Sequence, residues 1–235
     1  MNLNKIALVT GLAVSGITVS SVFTSANAVN IIDSTYGVGA GSFELGNFIN
    51  GGGIPPTGTD YMGLAPGSTI ITGWTVGGPG DGIDWLTPPR YGVNTGIHAV
   101  DLQHSTASSI STSIPTIIGN VYELSFATAT VTGGTAQGSV SVGSLANQPF
   151  TATYSSGTSN QTYTPFTFLF TATSSTTQVT FTSTSSNATY GPVIDSVSVD
   201  AVSTATVPEP SSILGLGTIT GLGLIGGLKR KLSKK

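Results

Sequence analysis

The chain is 235 residues long, with no cysteine, 32 glycines and only 7% charged residues. Without cysteine it has neither a disulfide to staple an extracellular fold nor a lipidated Cys anchor, so its stability rests on a core. The formal charge of −3 hides a partition: between residues 29 and 206 nine carboxylates face a single base, Arg90, giving −8, which argues against nucleic acid and anionic lipid surfaces as partners.

The N-terminus reads as an export signal. Lys5 precedes a mostly apolar stretch, 6–23, and Ala26-Asn27-Ala28 offers small residues at the two positions a signal peptidase reads. Cleavage is expected after Ala28, with export across the inner membrane. Residues 29–206 are then of ordinary size for one domain with a sizeable core. Serine, threonine and glycine abound there, but aromatic and branched residues alternate among them, a pattern of strands rather than of a disordered stalk.

Residues 40–48 (AGSFELGNF) lead into a Gly/Pro-rich loop, 50–66, without regular period. A strand is predicted over 68–76 (STIITGWTV), then a short apolar piece over 83–86, followed by TPPRYGVNTG and IHAVDLQH. Residues 121–130 alternate, with Tyr122, Leu124 and Phe126 on one face and Glu123 and Ser125 on the other. Period 2 also holds over 138–142 and 164–173, and strands over 178–183 and 193–199 complete the set. About ten short strands with turn signals between them, and no amphipathic helix, predict an all-β antiparallel sandwich.

The tail, 207–235, has three parts: an extended Pro208-Glu209-Pro210, an uncharged apolar run over 213–228, and the basic end KRKLSKK. Two prolines in three residues forbid a helix there and leave an accessible peptide. The apolar run makes a helix of about 24 Å, short of a bilayer core of about 30 Å. The basic end would hold the C-terminus in the cytoplasm. This order resembles the PEP-CTERM sorting signal of exported bacterial proteins. The resemblance implies recognition by an exosortase, transient anchoring in the inner membrane, removal of the apolar helix, and delivery to the cell surface or extracellular matrix. An ordinary one-pass anchor is the alternative.

The body also resembles a family. AGSFELG, ITGWTV, GIDWL, GIHAVDLQ, SISTSIPTIIGNVYELSF and the closing GPVIDSVSV follow the order of the choice-of-anchor C exported domains. These are similar in turn to plant cell-wall proteins and to jelly-roll carbohydrate-binding modules of the galactose-binding-like type. The resemblance covers roughly residues 41–199 and implies a jelly-roll β-sandwich. It further implies a structural calcium shared by Glu44, near the first strand, and Asp195, in the last. Ser196 departs from that pattern, since many such modules carry a second acid there.

Asp84, Trp85, Arg90 and Tyr91 gather around a Pro/Gly-rich loop, where an acid, a base and two aromatics could clasp a polyol; Arg90 pairing with Asp84 is the plainer reading. Trp74, at strand spacing, is assigned to the core. His98, Asp101 and His104 do not converge if all lie on one strand, and no Gly-x-Ser-x-Gly elbow accompanies them. A glycosidase needs two placed carboxylates. The glutamates of the body are Glu44 and Glu123, with Asp60, Asp81 and Asp84 on loops. The expectation is a non-catalytic exported protein that binds extracellular polysaccharide, with a self-associating coat protein and a polysaccharide hydrolase as alternatives.

Overall fold

The computed structural model describes residues 29–131, 133–154, 161–186 and 190–202. The expected signal segment, 1–28, and sorting tail, 207–235, with Pro208, Glu209 and Pro210, lie outside the described residues. Among the described residues no helix is long and apolar enough to cross a membrane.

The body opens with a short helix, α1 (Ile31–Tyr36), which the strand pattern does not foretell. Asn30 accounts for it locally, because its side-chain oxygen accepts the Ile32 N–H at 3.1 Å and caps the first turn. Its amide also donates to the Val197 carbonyl at 3.0 Å, tying the helix to the segment around residue 197. Six residues are too few for a helical period to register in sequence.

Among the described residues eleven strands follow: β1 (Tyr61–Leu64), β2 (Thr75–Gly77), β3 (Ile83–Leu86), β4 (Ala99–Asp101), β5 (Ser109–Pro115), β6 (Val121–Ala129), β7 (Thr135–Val142), β8 (Leu145–Thr153), β9 (Thr164–Thr171), β10 (Thr176–Ser183) and β11 (Val193–Ala201). They form two sheets, ordered β1-β3-β4-β11-β6-β9 and β2-β5-β10-β7-β8, and every pairing is antiparallel. From β4 onward the chain crosses between sheets at every step except the β7-β8 hairpin. The inner orders β4-β11-β6-β9 and β5-β10-β7-β8 are the interleaved arrangement of a jelly roll.

The strand expected over 68–76 survives only as β2, because Gly73 takes φ +83° and turns the chain against Tyr36. A four-residue β1 lies inside the segment read as loop, and β5 and β8 fall outside the strands read from the sequence, the pattern of β8 being interrupted by Asn147 and Pro149. Pro149 is tolerated because β8 ends its sheet.

The two sheets enclose one apolar core that includes Trp74, Trp85, Leu124, Phe126, Phe150, Phe181 and Val199. Phe126 meets Phe150 and Phe181 edge-on at 5.1 and 4.9 Å. A smaller cluster, Leu86, Tyr91, Ala99, Val131 and Val193, covers part of the outer face of the six-stranded sheet. The core contains Met62 and Leu64 of β1, Ile83 and Trp85 of β3, and Val100 of β4, so the alternate residues Tyr61, Asp84, Leu86 and Asp101 stand on that outer face.

A bulge in β11 serves the same face. The register against β6 shifts between Asp195 and Ser198, and Ser196 adopts φ +54°. The shift lets Ile194, Val197 and Val199 all enter the core while Asp195 and Ser196 both reach the loop around residue 95.

Candidate functional site

On the outer face over β1, β3 and β4 lies a cleft of about 320 Å³, lined among others by Tyr61, Asp84, Arg90, Tyr91, His104 and Tyr190. Three of the four residues expected to clasp a ligand, Asp84, Arg90 and Tyr91, do meet there. Trp85 does not. Consecutive residues of a strand face opposite ways, so with Asp84 in the cleft Trp85 must enter the core. It is fully buried, its indole N–H donating to the Phe43 carbonyl at 3.1 Å and its ring edge-on to Phe48 at 5.2 Å. Trp74 is buried as expected, donating to the Ala40 carbonyl at 2.8 Å.

Asp84 is bonded to His104 Nδ1 at 2.6 Å and not to Arg90. This bond, with the charge of Asp84 and the nearby Pro55 carbonyl, lifts the His104 pKa to about 8. Burial raises Asp84 above the usual carboxylate range even against the His104 bond. His104 Nε2 is buried with no hydrogen bond of ordinary geometry. The guanidinium of Arg90 lies 5.1 Å from the centroid of the Tyr91 ring, a cation over an aromatic face. Tyr61 meets Tyr91 edge-on at 6.3 Å and donates its hydroxyl to the Pro56 carbonyl at 2.8 Å. Burial pushes the Tyr91 phenol up to about 12, so it remains a donor throughout the neutral range.

Supporting residues hold the walls. Asp81 Oδ1 accepts the Ser105 and Thr106 N–H groups at 3.1 and 2.9 Å, fixing the turn beside His104. Burial works against its ionisation, but those donors outweigh it and bring the pKa to about 2. Asp101, fully buried, accepts the N–H of Gln103 at 3.1 Å and of Gly191 at 2.9 Å, and so anchors the residue next to Tyr190. A side chain at position 191 would strike that carboxylate, which explains the glycine.

The histidines part company. β4 covers only Ala99–Asp101, so the chain has already turned before His104. His98 lies against Trp85 and Phe48, its Nδ1 3.1 Å from the Leu86 carbonyl, while His104 enters the cleft. Both are buried rather than superficial. Among the cleft residues that sequence reasoning missed are His104, Tyr61 and Tyr190. They come from separate stretches with no shared spacing, and the one local signal is a tyrosine beside the Gly/Pro-rich turns 50–66 and 191–192.

Glu44 and Asp195 also meet across a single loop. Glu44 Oε1 accepts the N–H groups of Ile97 and His98 at 3.0 and 2.9 Å. Asp195 Oδ2 accepts those of Asn94 and Thr95 at 2.7 and 2.9 Å, and its Oδ1 accepts that of Ser196. Ser196 Oγ accepts from the Asn94 amide at 2.8 Å, so the serine found where a second acid was expected joins the same clasp. Burial raises the Asp195 pKa to about 6; its N–H partners oppose this, and the charge of Glu44 adds to it. Two carboxylates beside the Ser42, Thr95 and Ser196 hydroxyls are donors of the type calcium takes. Three of the four carboxylate oxygens nevertheless already accept main-chain N–H groups. Among the described residues no group of three or more His, Asp or Glu is arranged to hold a metal.

A family described as a protein of unknown function matches residues 41–200. No curated protein matches the chain. Among solved structures it is similar to a family 35 carbohydrate-binding module from Clostridium thermocellum, at 14% identity over 54% of this chain and 90% of that one, with a TM-score of 0.41. A CBM35 from Paenibacillus barcinonensis matches at 22% identity over 55% and 93%, with a TM-score of 0.39. A Stig cyclase from Fischerella sp. TAU matches at 12% over 76% and 99%, with a TM-score of 0.44. Module and cyclase score alike, so these likenesses do not bear on ligand or activity.

Proposed function

Because the chain belongs to the DUF642 family, whose description assigns no function, we propose its role from its own residues: a non-catalytic domain that binds extracellular polysaccharide in the cleft over β1, β3 and β4. One observation carries this reading. Tyr61, Tyr91 and Tyr190 line a single cavity together with Arg90 and the Asp84–His104 pair. Sugar rings offer apolar faces that stack on aromatics and rims of hydroxyls that bond to charged groups, and this lining provides for both. The volume is at the lower end of ligand pockets, about 300 to 1,000 Å³, and suits a short stretch of a glycan. Many copies at a surface would strengthen individually weak contacts.

The signal segment and the Pro208-Glu209-Pro210 tail support export, exosortase processing and display at the surface or in the matrix. A structural calcium between Glu44 and Asp195 is part of the same proposal, and it would stabilise the clasp on loop 94–98 without entering the cleft. Self-association is favoured by one feature: β9 ends its sheet and carries no charged residue along Thr164–Thr171.

The test is retention of the producing organism's own matrix polysaccharide by the purified chain. Tyr190→Ala, at a partly exposed ring, is expected to weaken retention about ten-fold with little change in melting temperature. Undiminished retention by this variant would remove the cleft from the account. Concentration-dependent assembly with no retained sugar would favour the coat protein instead.

A further inference from the structure

Arg90 is the sole Lys or Arg between residues 29 and 206, in a segment holding nine carboxylates. Such a cation ordinarily finds an acid, and the acid in its own cleft is Asp84. That carboxylate is committed to His104 at 2.6 Å. Arg90 lies instead against the Tyr91 ring, and among the described residues no carboxylate stands within ion-pair distance of it. Among the described residues the cleft therefore holds a guanidinium without a carboxylate partner, on a body that is otherwise acidic.

A guanidinium held over an aromatic face by its charge still has N–H groups to donate, and two parallel N–H bonds to a carboxylate are what its fork matches best. The other acids of the body repel an anionic ligand, with a reach of about 8 Å at physiological salt, so an acidic glycan has its favourable contact at this one place. The rings of Tyr61 and Tyr190 share the cavity with Arg90 and give the sugar face a surface to stack on.

We propose that the cleft selects a carboxylate-bearing saccharide, with the uronate group held by Arg90 and the sugar ring by the tyrosines. This rests on the reading of the cleft as a glycan site. A methyl ester keeps the saccharide skeleton and removes the charge, so the pair of acid and ester isolates the contribution of Arg90.

The experiment measures binding of glucuronate and galacturonate trisaccharides, their methyl esters and a triglutamate peptide to the full chain and to Arg90→Gln, a change at an exposed side chain. The expected result is that one uronate binds about ten-fold more tightly than its ester and loses that advantage at high salt. Arg90→Gln should abolish the difference, weakening the acid by about ten-fold more than it weakens the ester. Equal binding of acid and ester, or a preference that survives Arg90→Gln, overturns the inference. Triglutamate bound as tightly as the uronate overturns its saccharide part. If no uronate binds while the matrix polysaccharide is still retained, acid selection fails and the glycan reading stands. If no saccharide is retained at all, both fall.

Discussion

Trp85→Ala is expected to cost the domain about 3 to 5 kcal/mol, the range for truncating a buried large aromatic. The ring is fully buried, packs against Phe48 and His98, and satisfies its N–H on the Phe43 carbonyl. Its loss leaves a cavity between β3 and the segment that carries Glu44. For a domain of this size the melting temperature should fall by roughly 6 to 20 °C. Glycan retention per folded molecule should remain, because the side chain points away from the cleft. Thermal melts and retention assays on the same samples check both halves. A variant that melts normally but no longer holds glycan would return Trp85 to the binding surface.

The second large effect is a pH dependence at Asp195. Its pKa is raised from an ordinary 3.8 to about 6, so the folded state holds this proton more tightly than the unfolded chain does. The stabilisation is fully present below about pH 4 and is lost as the pH rises through 6, a change of about 3 kcal/mol. Asp81, brought down to about 2, acts in the opposite sense and only below pH 4. His104, raised to about 8, loses its contribution between about pH 6.5 and 8. Burial also raises Asp84 and Asp101, so the decline above pH 4 is shared, and Asp195→Asn should remove from it the part that falls between pH 4 and 6 at Asp195 while the rest persists.

Calcium enters through the same window. An ion between Glu44 and Asp195 would favour both ionised carboxylates, so added calcium should reverse the decline and raise the melting temperature above pH 6. Melts in chelator and in calcium that superimpose across the whole range would reject the ion and leave the N–H clasp as the sole role of the two acids.

Much of this architecture is legible in the sequence, and for a physical reason. Alternation such as Tyr122, Leu124 and Phe126 directly reports a half-buried strand, and β6 follows it. Alternation also contained a correction to the expected site: Asp84 and Trp85 are adjacent in one strand and cannot both line the same cleft. What stays hidden is long-range. Nothing local to His104 announces a bond to Asp84, twenty residues earlier, and nothing local to Tyr190 announces the Asp101–Gly191 contact that places it. The bulge at Ser196 is equally silent, because it depends on register with β6. The loops carrying Arg90 and Tyr91 could be recognised because proline and glycine mark them, but not the fact that Arg90 would be left without a carboxylate.

The most direct test of the central claim is a crystal structure of the chain grown with an oligosaccharide cut from the polysaccharide it retains. The account predicts a sugar ring between Tyr61, Tyr91 and Tyr190 with a polar group on Arg90. Sugar bound elsewhere on the sandwich, with the cleft filled only by solvent, would contradict it.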